Sequence, residues 1–149
     1  MAKRDLLEIE NARIIWPNFE GRPTDFRPQG GYRNFNILLD SEQAQQLSND
    51  GWNVKIKPPR EEGDDPRCTL EVSVRFDNFP PKIYMITTRN KVELTEDTVG
   101  VLDDSDIISA DLIISPYNYE VNGKSGIKAY LKTAYITIQE DRFAEKYDM

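Results

Sequence analysis

The chain of 149 residues contains no histidine and one cysteine, and both shortages remove chemistry. Without histidine no Ser-His or Cys-His relay can form, and zinc loses its commonest ligand. Cys68 alone makes neither an internal disulfide nor a thiolate cluster, so it reads as a strand residue in a reducing cytosol. No apolar run approaches the roughly 20 residues that cross a bilayer. Residues 1–10 hold acids where a secretory signal has an apolar block, so the expectation is a soluble intracellular protein. No repeat of solenoid period and no low-complexity tract interrupts the chain. With 38% apolar and 30% charged residues, one globular domain is expected.

The charge is unevenly placed. Nineteen Lys and Arg face 26 Asp and Glu, for a formal charge of -7. Residues 93–111 hold Glu93, Glu96, Asp97, Asp103, Asp104, Asp106 and Asp111 with no basic residue, so the remaining chain is balanced. A net acidic protein can therefore still present a basic face to a nucleic acid, provided its acids lie elsewhere.

Strand patterns dominate. Leu6–Trp16 changes apolar parity between Ile9 and Ala12, as a bulged strand does. Residues 17–31 carry three prolines and three glycines and predict a long loop. Tyr32–Asp40 alternates Phe35, Ile37 and Leu39 against Tyr32, Asn34 and Asn36. A short helix N-capped by Ser41 follows, with Ala44 and Leu47 as its apolar stripe. Trp52–Lys57, Thr69–Phe76, Ile83–Thr87 and Lys91–Leu94 are further expected strands. In the clearest of them Leu70, Val72, Val74 and Phe76 point inward, while Thr69, Glu71, Ser73 and Arg75 point outward. Asp106–Ser115, with Ile108, Ala110, Leu112 and Ile114 on the core side, leads to a hairpin at Asn122-Gly123 and a long partner strand, Gly126–Ile138. The predicted fold is mainly β: a small five-stranded barrel of the oligonucleotide-binding type with extra hairpin strands and one short helix, ranked just above a sandwich. It occupies residues 1–138 and leaves 139–149 as a polar tail.

The candidate chemistry is stacking and phosphate contact. Trp16, Phe19, Phe26 and Tyr32 interleave with Arg27 and Arg33, and rings stack on any unpaired base while guanidinium groups neutralise phosphate. The plainer reading makes Trp16, Phe19 and Phe26 plugs for the barrel end. Lys128, Tyr130 and Lys132 share one strand face, and Lys55, Lys57 and Arg75 extend a basic surface if their strands are neighbours. Asp103, Asp104, Asp106 and Asp111 fit no calcium-loop spacing and read as a solvated acidic turn. No metal, cofactor or catalytic residue is expected.

The run WPNFEGRPTDFRPQGGYRNFNILLD, followed by a short helix ending in DGWNVK, resembles phage-encoded single-stranded-DNA-binding proteins. Trp16-Pro17-Asn18-Phe19, Tyr32-Arg33-Asn34-Phe35 and Ile37-Leu38-Leu39 carry the likeness, over about the first 57 residues. The resemblance implies an oligonucleotide-binding barrel that coats single-stranded DNA during phage replication or recombination in the host cytoplasm. It also implies replication or recombination proteins as partners, recruited by an acidic tail. Residues 139–149 depart from that pattern, with four acids against two bases. Free strand edges leave a homo-oligomer open. The rival readings are a protein-interaction module or DNA mimic using residues 93–111, and a carboxylate-metal nuclease.

Overall fold

The computed structural model describes residues 6–139 except Arg60, Asp65, Asn78, Phe79 and Arg89. Eight strands form one sheet: β1 (Leu7–Asn18), β2 (Arg33–Leu39), β3 (Val54–Lys57), β4 (Arg67–Val74), β5 (Lys82–Ile86), β6 (Lys91–Leu94), β7 (Ile107–Val121) and β8 (Lys124–Ile138). Helix α1 (Ser41–Asn49) follows β2, and a 3-10 helix (Val99–Asp104) precedes β7. The sheet order is β3-β4-β2-β1-β7-β8-β5-β6, and a further parallel pairing of β4 with β8 joins Val72 to Ala129 and Ser73 to Tyr130. That pairing closes β1, β2, β4, β8 and β7 into a five-stranded barrel, with β3, β5 and β6 added at its margins.

The expected alternation decides the inside. Phe35, Ile37, Leu70, Val72, Ile114, Ile127, Ala134 and Ile136 are fully or almost fully buried and form one core. The parity change in β1 is a bulge: Ile9 pairs with Leu112 and Ala12 with Ala110, so Glu10 and Asn11 oppose Asp111 alone. Asn11 takes a positive φ of 53° there, and its amide donates to Asp111 Oδ1 at 3.0 Å. Asn122 and Gly123, both at positive φ, make the tight turn that sets the β7–β8 register.

Four details differ from the sequence reading. Asp40, not Ser41, is the N-cap, its carboxylate accepting the Gln43 amide at 2.7 Å. Ile108 is exposed because the β7–β8 register shifts between Ile107 and Ser109, and Ile107 packs on the core instead. Strand β7 runs on to Val121 rather than ending at Ser115. Trp52 lies outside β3 and is buried beside α1, bridging to Ile127. The expected tail falls outside the described residues apart from Gln139, whose amide donates to the Asp106 carbonyl.

Candidate nucleic-acid interface

The outward sides of β2, β4, β8 and β7 form one continuous face. Tyr32 just precedes β2 and Asn34 lies at its start, Glu71 and the almost fully buried Ser73 come from β4 with Arg75 just after it, Lys128 and Tyr130 from β8, and Tyr117 from β7 opposite Lys128. The parallel β4–β8 register puts Tyr130 beside Ser73, so residues over fifty positions apart in sequence become neighbours.

Rings and cations alternate across this face. The Arg27 guanidinium carbon is 3.9 Å from the Tyr32 ring centre. Lys128 Nζ lies 5.5 Å from the Tyr32 ring and 5.3 Å from the Tyr130 ring. Arg75 is 5.8 Å from Tyr130, whose ring meets Tyr117 edge to face at 5.8 Å. Arg27, Tyr32, Arg33, Arg75, Lys128 and Tyr130 line an open groove of about 540 Å³ together with Asp77 and Glu96. Burial, opposed by the Ser73 hydrogen bond but reinforced by the Glu71 charge, raises the Tyr32 pKa above its ordinary value, so the phenol stays protonated. Arg75 is held charged by the Asp77 carboxylate, which takes both Nε and Nη2 at 3.2 and 2.7 Å.

The long loop is built rather than slack. Asn18 Oδ1 accepts the amides of Gly21 and Arg22, and Asp103 accepts those of Phe19 and Glu20 at 2.7 and 3.0 Å. The Gly31 amide donates to the Gly21 carbonyl at 2.8 Å and closes the loop's base. Gly30 is required beside it, since φ is 71° and a Cβ would meet the Gly21 oxygen at 2.9 Å. This base carries Arg27 to its place over Tyr32.

Other expected contacts are placed differently. Phe19 is 0% exposed and stacks on Phe35 with ring centres 5.2 Å apart, so its ring plugs the core and is out of a ligand's reach. Phe26 is 96% exposed at the loop tip. Arg33 shares the parity of Phe35 and turns inward, donating from Nη1 to the Phe19 carbonyl at 2.7 Å and lying 3.8 Å from a Glu96 oxygen. Its main bonds therefore hold the loop and the acidic segment together. Lys132 is exposed at a β8 irregularity, where Leu131 and Thr133 oppose Ile114 and Ile113.

A second cluster forms around Trp16. A positive φ of 51° at Trp16 throws the indole outward, leaving it 51% exposed. Lys57 Nζ lies 5.8 Å and the Arg67 guanidinium 6.0 Å from its ring. Lys55 shares the outward side of β3 with Lys57. Arg67 and Tyr117 were absent from the residues picked out by sequence. Counting outward from the Asn122-Gly123 turn pairs Tyr117 with Lys128, so that signal was present.

The acidic stretch is largely committed to the fold. Asp103 holds two backbone amides, Asp104 meets Arg22 at 3.3 Å, Glu96 faces Arg33 and Asp111 holds Asn11. Among the described residues no His, Cys, Asp and Glu cluster has metal-binding geometry, and no helix is long and apolar enough to cross a membrane.

Comparison with known proteins agrees with this architecture. No curated protein matches the sequence. The single-stranded DNA-binding protein of bacteriophage Enc34, solved in complex with single-stranded DNA, superposes with a TM-score of 0.57 at 11% identity, covering 91% of this chain and 88% of that one. A C-terminally truncated form of the Enc34 protein gives 0.54 at 11% identity, over 90% and 86%. At such identity the likeness establishes the fold. The family model of the phage ssDNA-binding domain matches residues 1–149. The chain belongs to the phage single-stranded-DNA-binding domain family.

Proposed function

We propose that the groove face binds single-stranded DNA without demanding a particular sequence, in phage DNA replication or recombination within the host cytoplasm, and that it catalyses no reaction. The observation that carries this reading is the alternation Arg27–Tyr32–Lys128–Tyr130–Arg75, in which each ring lies within 6 Å of a cation. Tyr130 and Tyr117 offer stacking surfaces, and Arg27, Arg75 and Lys128 meet phosphates. Trp16 with Lys57, Arg67 and Lys55 continues the path beyond the groove. Phe26 and Lys132 are peripheral to it, Phe19 supports it from behind, and Arg33 lines it with its guanidinium engaged by the Phe19 carbonyl and Glu96.

Affinity for a labelled oligonucleotide is expected to fall with salt, with a slope of log K against log salt of about -2 if Arg27, Arg75 and Lys128 act alone and about -4 if the Trp16 cluster joins them. Fluorescence anisotropy over a salt series reads this directly, with a duplex of equal length binding more weakly. Absence of association with single strands at low salt, or equal affinity for the duplex, overturns the reading.

A further inference from the structure

A carboxylate stands on the outward side of β4 beside this groove, outside the residues that line it. Glu71 is half-buried on the outward side of β4, opposite Asn36, and forms no ion pair among the described residues. Each oxygen holds one donor: Tyr32 Oη donates to Oε1 at 2.9 Å and Asn34 Nδ2 to Oε2 at 2.9 Å. Ser73 Oγ is 2.6 Å from Tyr32 Oη. Because the phenol has one proton and gives it to Glu71, Ser73 is the donor in that contact. The relay runs from Ser73 through Tyr32 to Glu71 and fixes the carboxylate plane from one side, as Asn34 does from the other.

A carboxylate accepts about four hydrogen bonds, so two acceptor directions remain after these two donors. Like charge keeps phosphate away from them. The part of a DNA strand that they attract is a base N–H. Guanine presents adjacent ring and amino N–H donors, and cytosine and adenine present amino groups. Thymine presents one imide N–H between two carbonyl oxygens, which a carboxylate repels.

We infer that Glu71, positioned by Tyr32 and Asn34 on the β4 surface beside the groove, is a base-selecting residue that makes this face favour amino-bearing bases over thymine. The inference rests on this face being the DNA site. It adds a preference in composition to a binder that needs no fixed sequence, with phosphates directed to the groove by Arg27, Arg75 and Lys128 and base edges to the adjoining β4 surface.

The test compares labelled oligo(dC) and oligo(dT) of equal length, at one salt concentration, on the native protein and on Glu71→Gln. Glutamine keeps the shape and one acceptor oxygen while adding an amide that can donate to thymine. The native protein is expected to bind oligo(dC) about 5- to 10-fold more tightly. Glu71→Gln is expected to bring the two within about twofold, chiefly by gaining affinity for oligo(dT). Equal binding of both by the native protein overturns the inference while leaving the DNA site standing, as does a preference that survives Glu71→Gln. Failure of the native protein to bind either strand at low salt overturns the site itself. Equal binding by the native protein overturns the inference without any variant, so the test can fail it even where Glu71→Gln does not fold, while attribution of a preference to Glu71 rests on the variant.

Discussion

Replacing Phe19 by alanine is expected to destabilise the protein by about 3–5 kcal/mol, although the residue lies in the loop region where stacking aromatics are sought. Its ring has no exposed surface and packs on Phe35 at an interplanar angle of 28°. Truncation leaves a cavity where the loop meets the core. It also loosens the Asp103 and Arg33 bonds that end on the Phe19 amide and carbonyl. In a domain of this size such a loss lowers the melting temperature by about 6–20 °C. Phe19→Leu, which fills most of the space, is expected to retain both the fold and nearly native affinity for single-stranded DNA. Thermal melting followed by oligonucleotide titration separates the roles. A variant Phe19→Ala that melts like the native protein but fails to bind would identify a ligand-facing ring instead.

The converse pattern is expected at Tyr130. Tyr130→Ala should weaken single-stranded DNA binding by about 1–3 kcal/mol, or roughly 5- to 150-fold, while melting close to the native temperature. Tyr130 is the ring on which Lys128, Arg75 and Tyr117 converge, so its removal deletes a stacking surface and loosens two cations together. Tyr130→Phe keeps the ring and should keep most of the affinity. Tyr84 supplies the control. It stacks on Tyr135 at 5.1 Å with Lys91 5.0 Å above its ring, on the added β5–β6 side of the sheet. Tyr84→Ala should leave DNA affinity unchanged. Equal losses at Tyr84 and Tyr130 would show that the effect is not specific to the groove.

Much of the barrel was legible because one side of most strands is buried, and burial writes a period of two into the sequence. Thr69–Phe76 and Tyr32–Asp40 are plain cases, and the β1 bulge shows in the sequence as a change of parity. Closure was not legible, since the parallel β4–β8 pairing joins segments whose partnership leaves no local mark. Arg33 illustrates a signal passed over: it carries the parity of Phe35, which foretells its inward turn. Trp16 and Phe19 illustrate a signal that does not exist. They sit three positions apart in an irregular stretch where φ at Trp16 is positive, and periodicity cannot say which ring goes in and which goes out. Glu71 was correctly placed outward, whereas Thr69 and Ser73, read as outward too, are almost fully buried, and the hydrogen bonds of Glu71 and Ser73 to Tyr32 and Asn34 depend on the β2–β4 register.

The central claim is that single-stranded DNA lies on the outward face of β2, β4, β8 and β7. Ultraviolet cross-linking of a mixed-sequence single-stranded oligonucleotide, with adducts mapped by mass spectrometry, tests it most directly. Adducts are expected at Tyr130, Tyr117 and Tyr32, with Trp16 joining as the oligonucleotide is lengthened. Adducts confined to Tyr84, Tyr135 or Phe26, with none on the groove rings, would contradict the account.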